Sequence, residues 1–115
     1  MVKCIRDTPS YDLTLIAKLA SSGKTFGMLR GAAEDALGFG MDDDDVRGWF
    51  AEILSHVAIK DCGFIKSKVT EKYPPGTCSD YYQARIDQCG CTMFVKFAVY
   101  KGKLIVTSFK DYRDE

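Results

Sequence analysis

The alternation of polar and apolar side chains in the last third of the chain constrains its fold more than any other feature. Four segments, Phe64-Ile65-Lys66-Ser67-Lys68-Val69, Tyr81-Tyr82-Gln83-Ala84-Arg85-Ile86, Phe94-Val95-Lys96-Phe97-Ala98-Val99 and Leu104-Ile105-Val106-Thr107-Ser108-Phe109-Lys110, are rich in β-branched and aromatic residues, and the first three alternate. Successive side chains of a strand point to opposite faces, so a period of two marks a sheet buried on one side. The pattern predicts that Ile65, Val69, Tyr82, Ala84, Ile86, Val95, Phe97, Val99, Ile105 and Phe109 share an apolar face. Lys66, Lys68, Gln83, Arg85, Lys96 and Lys110 then share the other. A sheet with one greasy and one cationic side suits a polyanion, and RNA is the reading it supports.

The half that precedes these strands reads as helical. Ser10 is placed to cap a first helix in which Leu13, Ile16, Ala17 and Ala20 recur at helical spacing, with Gly23 as its stop. Gly23-Lys24-Thr25 imitates the end of a phosphate loop, but Lys18 stands where that motif needs glycine and no strand precedes it. Thr25 is instead expected to cap a second helix from Phe26 to Leu37, ended by Gly38-Phe39-Gly40. Asp42 to Asp45 open a third, strongly amphipathic helix through Val46, Trp49, Phe50, Ile53, Leu54 and Val57. A calcium loop is rejected, because Val46 and Arg47 occupy positions that need an oxygen ligand and a glycine. His56, the single histidine, lies off the apolar stripe and is expected at the surface. Asp61-Cys62-Gly63 breaks the helix, and Glu71-Lys72-Tyr73-Pro74-Pro75-Gly76 reads as loop. Cys89-Gly90-Cys91 and Lys101-Gly102 are short enough to make antiparallel hairpins, and the charged tail from Asp111 to Glu115 is expected to fray. Residues 1–115 therefore form one α+β domain of two layers, three helices on an antiparallel sheet of about four strands.

Charge and cysteine content narrow the function. Formal net charge is zero, yet from Cys62 to Lys110 there are eight Lys/Arg against three acids, Glu71, Asp80 and Asp87. No apolar run reaches the ~20 residues of a membrane span, and Met1 to Arg6 have no stretch of signal-peptide character, so a cytoplasmic protein is expected. The five cysteines, Cys4, Cys62, Cys78, Cys89 and Cys91, contain no C-x-x-C pair and are expected as reduced thiols, with no metal and no cofactor.

The succession Phe64-x-Lys66-Ser67, Tyr82-Gln83, Phe94-x-Lys96-x-x-Val99 and Leu104-Ile105-Val106-x-Ser108-Phe109-Lys110 resembles the MqsR family of bacterial toxins, the motility quorum-sensing regulators. The upstream order of helices and the Leu-Gly-Phe-Gly turn (Leu37 to Gly40) are similar too, from about Tyr11 to Lys110. The resemblance implies a RelE-like fold and a ribosome-independent mRNA interferase, an endoribonuclease acting on single-stranded mRNA. It also implies a cognate antitoxin bearing zinc and a helix-turn-helix, with DNA contacted only through that antitoxin. By matching motif positions it assigns catalysis to Lys66, Gln83 and Lys110. Three positions depart from the family pattern: Phe94 replaces a tyrosine, Lys101 a histidine and Lys68 a methionine. One extra residue between Val106 and Phe109 suggests a β-bulge.

The chemistry of the residues agrees with that assignment. Metal-free RNA cleavage uses the ribose 2′-OH as internal nucleophile, and needs a base, a cation for the phosphorane and a donor for the departing 5′-oxygen. With no histidine placed for it, lysines must serve, and crowding by other cations lowers a lysine's pKa toward the working range. Lys66 is expected in proton transfer or phosphate stabilisation, Lys110 in phosphate stabilisation or leaving-group protonation, and Gln83 in positioning. Lys68, Arg85, Lys96 and Lys101 are expected to hold flanking phosphates, and Phe94, Tyr81 or Tyr100 to stack a base.

Overall fold

The computed structural model describes residues 5–6, 8–56, 63–69 and 77–111. The strands are β1 (Ile5–Arg6), β2 (Phe26–Met28), β3 (Gly63–Val69), β4 (Cys78–Ile86), β5 (Cys91–Tyr100) and β6 (Lys103–Asp111), and they form one six-stranded sheet in the order β1-β3-β4-β5-β6-β2. All neighbours are antiparallel except β2 and β6. The helices are α1 (Leu13–Ala20), α2 (Arg30–Gly38), α3 (Asp43–Ala51) and the single turn α4 (Ile53–His56).

The core explains why these pieces pack as they do. Ile16 and Ala20 of α1, Ala32 and Ala36 of α2, Val46, Trp49 and Phe50 of α3 and Ile53 of α4 meet Tyr82, Ala84, Ile86, Val95, Phe97, Leu104, Val106 and Phe109 of the sheet. Burying such side chains contributes about 1.5–3 kcal/mol each, which offsets the entropy of ordering the strands. The helices thus lie on one face of an α+β fold, as expected, and the lysines are left on the other.

Two strands were not expected. Phe26–Met28 is β2, not the start of a helix, and Phe26 pairs with Leu104. Its ring sits in the core 6.2 Å from that of Phe50, so tertiary pairing outweighs helix propensity there. Leu29 continues the pairing by donating its N–H to Val106 O at 2.9 Å, and α2 starts only at Arg30. The second addition, β1, pairs Ile5 with Lys68 along the outer edge of β3.

Local chemistry also moves the helix starts. Asp12, not Ser10, caps α1, accepting from Thr14 N at 2.8 Å, while the Ser10 N–H turns to Asp80. Thr25 caps nothing; its hydroxyl donates to Leu19 O at 2.6 Å within a 3₁₀ turn (Gly23–Thr25). The acidic start of α3 is a full capping box between Asp42 and Asp45. The helix expected to run on to Val57 is interrupted at Glu52, beyond which α4 makes one turn; Val57 lies outside the described residues. Outside them too lie the breaker Asp61-Cys62, the loop Glu71 to Gly76 and the tail after Asp111. Asp111 itself does not fray: it is buried and pairs with Met93.

The Lys101-Gly102 hairpin forms at the expected residues, whereas the β4–β5 connection runs from Asp87 to Gly90 and Cys91 already opens β5, paired with Ile86. Gly90 takes φ 73° after the 3₁₀ turn Asp87–Cys89, and Lys101 and Gly102 take φ 51° and 73°, the left-handed pair that a two-residue hairpin turn requires.

Candidate nucleic-acid interface

Strand register decides which side chains share the sheet face away from the helices. Lys66 of β3 pairs with Tyr81 of β4, Tyr81 with Lys96 of β5, and Lys96 with Ser108 of β6. Two residues along, Gly63, Gln83, Phe94 and Lys110 form a second row. Because side chains repeat every second residue, both rows point the same way, about 7 Å apart along the strands. Lys66, Gln83, Lys96 and Lys110 therefore share one face.

Two bulges bring this about. Ile65 has no partner between the Phe64–Tyr82 and Lys66–Tyr81 pairs, so it does not continue the apolar alternation expected of it. The suspected extra residue in β6 is Thr107, skipped between the Lys96–Ser108 and Phe97–Val106 pairs; its hydroxyl donates to Lys96 O at 3.3 Å. The bulge puts Leu104, Val106 and Phe109 on the helix side and Ile105 on the lysine side, the reverse of the expectation for Ile105. It also turns Lys110 toward the lysine face.

Tyr81 is the centre of the arrangement. The Lys66 ammonium lies 4.9 Å and the Lys96 ammonium 5.4 Å from its ring centroid, both within cation–π range. The Tyr81 ring meets Phe94 edge-on at 5.6 Å, and Lys110 lies 5.8 Å from the Phe94 centroid. Phe94 is only 4 % exposed, which leaves it as the support of Tyr81 and not as a surface on which a base can stack. Lys66 and Lys110 stand three strands and one row apart, roughly 16 Å between backbones, with the two rings between them. The lysine nearest Lys66 around a shared ring is thus Lys96.

The remaining expected residues spread outward. Lys68 pairs with Ser79, one step along β3. Lys101 sits at the exposed tip of the β5–β6 hairpin, 5.4 Å from the Tyr100 ring and away from both rows. Arg85, at the opposite end, lines a cleft of about 480 Å³ with Asp44, Asp45, Glu52 and Asp87, so its surroundings are acidic. His56 lines the same cleft, half-buried and stacked flat on Trp49 at 4.9 Å; it is less exposed than its place off the apolar stripe suggested.

Sequence reasoning left Lys103 out of the candidate set. It opposes Tyr100 and reaches across Gly27, where an added Cβ would lie 3.2 Å from Lys103 Cε. Alternation back from the core residue Leu104 was the signal for it.

Behind the face the ionisable groups are held neutral or tied down. Burial, with Asp80 nearby, pushes the Tyr82 hydroxyl up to about 12, and burial raises Tyr11. Cys78, Cys89 and Cys91 are free thiols, and burial lifts Cys89 to about 11. Among the described residues no group of three His, Cys, Asp or Glu side chains is disposed to hold a metal. Among them, too, no helix is long and apolar enough to cross a membrane. No protein-family model matches the chain, and no curated protein matches it.

Proposed function

We propose that this chain is an RNA-cleaving toxin of the MqsR kind on a RelE-like version of the α+β fold. It would act on single-stranded mRNA in the cytoplasm without a metal and be neutralised by a cognate antitoxin. The observation that carries this reading is the pair of ammonium groups, Lys66 and Lys96, flanking the Tyr81 ring on the face opposite the helices. Two ammonium groups over one ring are held where neighbouring phosphates can draw them off, and a base that takes the place of either then stacks on the ring, the combination single strands require.

In this reading Lys66 moves the proton or stabilises the phosphorane, while Gln83 and Lys110, in the adjacent row, orient the next nucleotide and serve its phosphate. Lys96 joins Lys66 in neutralising the phosphorane. The separation of Lys66 from Lys110 favours dividing these roles between neighbouring phosphates. The same separation supports a second reading, a catalytically silent relative that binds RNA or a protein with this face, because Lys110, the lysine expected to share catalysis with Lys66, stands three strands away from it.

Purified protein incubated with naked RNA and a chelator separates the two. Cleavage abolished by Lys66→Ala supports the toxin; salt-sensitive binding without product selects the silent relative. Cleavage retained in Lys66→Ala overturns the site assignment. The antitoxin is tested by the neighbouring reading frame, which should encode a zinc- and helix-turn-helix-containing protein.

A further inference from the structure

Two cysteine–methionine sulfur pairs lie where the β4–β5 hairpin turns against the loop between α2 and α3. Cys89 Sγ lies 3.3 Å from Met41 Sδ, and Cys91 Sγ lies 3.5 Å from Met93 Sδ. The two cysteines flank Gly90, which takes φ 73° in the hairpin turn, and their thiols are near enough to act on one another electrostatically. Two sulfurs bound to one metal at about 2.3 Å stand roughly 3.8 Å apart in a tetrahedral site. Each observed pair needs to open by only a few tenths of an ångström to accept an ion.

The surroundings are those of a supported site. Met41 and Met93 are buried, at 2 % and 0 % exposure, whereas Cys89 and Cys91 keep partial exposure, which leaves an entry from solvent. Gln88 Nε2 donates to Gly40 O at 2.9 Å and clamps the hairpin to the loop that carries Met41. The Met41 N–H is in turn fixed on Ala36 O at 3.0 Å. Such outer contacts hold ligands in place before a metal arrives.

The donor set selects the ion. Thiolate together with thioether is soft and suits copper(I), while zinc sites draw on thiolate, imidazole and carboxylate and seldom on methionine. We propose that Cys89, Cys91, Met41 and Met93 form a binding site for one copper(I) ion, separate from the lysine face. On binding, two S–H bonds break and both protons pass to solvent. Two bonds from thiolate sulfur and two from thioether lone pairs then form to the metal, which stays in the +1 state.

The full chain is titrated anaerobically with copper(I) against a chromophoric chelator, and its first shell is read by X-ray absorption. The expected result is one tightly held ion per chain with a sulfur-only shell. Met41→Leu and Met93→Leu, which keep volume and apolarity, should each lower the affinity by more than about tenfold, at least what losing an outer-shell partner costs. The Cys89→Ser/Cys91→Ser double variant should lose the ion, with its fold checked by circular dichroism. The proposal is overturned if the double variant binds as tightly as the parent, which would put the ion on Cys4, Cys62 or Cys78. It is equally overturned if both methionine variants bind like the parent, or if the parent does not compete with the chelator.

Discussion

The Ser10 N–H donates to both carboxylate oxygens of Asp80, at 3.0 and 3.1 Å. Asp80 is fully buried on the helix side of β4, and the Tyr11 N–H reaches the same carboxylate at 3.1 Å. Ser10 Oγ, 2.6 Å from the buried Ser67 Oγ, and Tyr11 Oη, donating to Cys78 O at 2.6 Å, complete the junction. A buried carboxylate is tolerated when it is hydrogen-bonded on all sides, and here it ties the entry of α1 to the strands carrying Lys66 and Tyr81. Asp80→Ala strands two amide donors, and the loss should be on the order of 2–4 kcal/mol. Denaturant unfolding gives the magnitude, and hydrogen exchange should show the Ser10 and Tyr11 amides losing protection first.

This junction marks the boundary of what could be read from the sequence. Tyr82, Ala84, Ile86, Val95 and Phe97 on one face, and Lys66 and Lys96 on the other, followed from alternation, whereas Phe109 and Lys110 reach their expected faces only through the bulge at Thr107. Ser10 fitted a helix cap by type and spacing, because its partner Asp80 lies seventy positions away. Phe26 to Met28 read as helix for the same reason: the three residues are a strand only because β6 is there to pair with them. Phe94 looked like a base-stacking ring as an aromatic residue among the lysines of the strands, and only the packing around it shows it to be covered. What escapes a reading by period is whatever a distant partner or a skipped residue decides.

Thr107 is the skipped residue on which the site depends. Deleting it restores strict alternation in β6. Side chains repeat with a period of two, so Ser108 to Asp111 would exchange faces relative to Leu104 and Val106. Lys110 would point into the core and Phe109 into solvent, a core loss on the scale of about 3–5 kcal/mol. The deletion variant should therefore be recovered unfolded or aggregated, whereas Thr107→Ala, which keeps the bulge and loses only the hydroxyl's bond to Lys96 O, should unfold within about 1 kcal/mol of the parent. Equal stability of the deletion and the parent would refute the assigned register.

The alkaline limb of stability should report Tyr82. Its ring is 3 % exposed, stacked on Phe97 at 5.6 Å, and burial and Asp80 hold the hydroxyl neutral up to about 12. The unfolded chain ionises near the ordinary tyrosine value of about 10. The folded state thus binds the proton more tightly, so the contribution is complete below pH ~10 and disappears as the pH rises from there through about 12. Tyr82→Phe should flatten this fall, as followed by urea midpoints across the alkaline range. Ultraviolet titration of the parent should show Tyr82 and Tyr11 ionising late, and Tyr82→Phe should remove one of these late tyrosinates.

Tyr81, Lys66 and Lys96 should separate in an RNA-binding and cleavage assay, because a ring and two ammonium groups act on different quantities. Removing the ring in Tyr81→Ala should weaken binding of a short single strand by about 1–3 kcal/mol, with little change in its dependence on salt. Replacing Lys96 by Ala removes one phosphate contact, so the slope of log K against log salt should fall by about 0.7. Lys66→Ala should do the same to the slope and, in addition, slow cleavage by about 10²–10⁴, the range for a general acid–base group. Lys101→Ala, at the hairpin tip over Tyr100 and outside both rows, should leave cleavage unchanged. If Lys66→Ala and Lys96→Ala instead alter binding and cleavage equally, both lysines act only as phosphate holders, and the proton-transfer role must be sought elsewhere on the face.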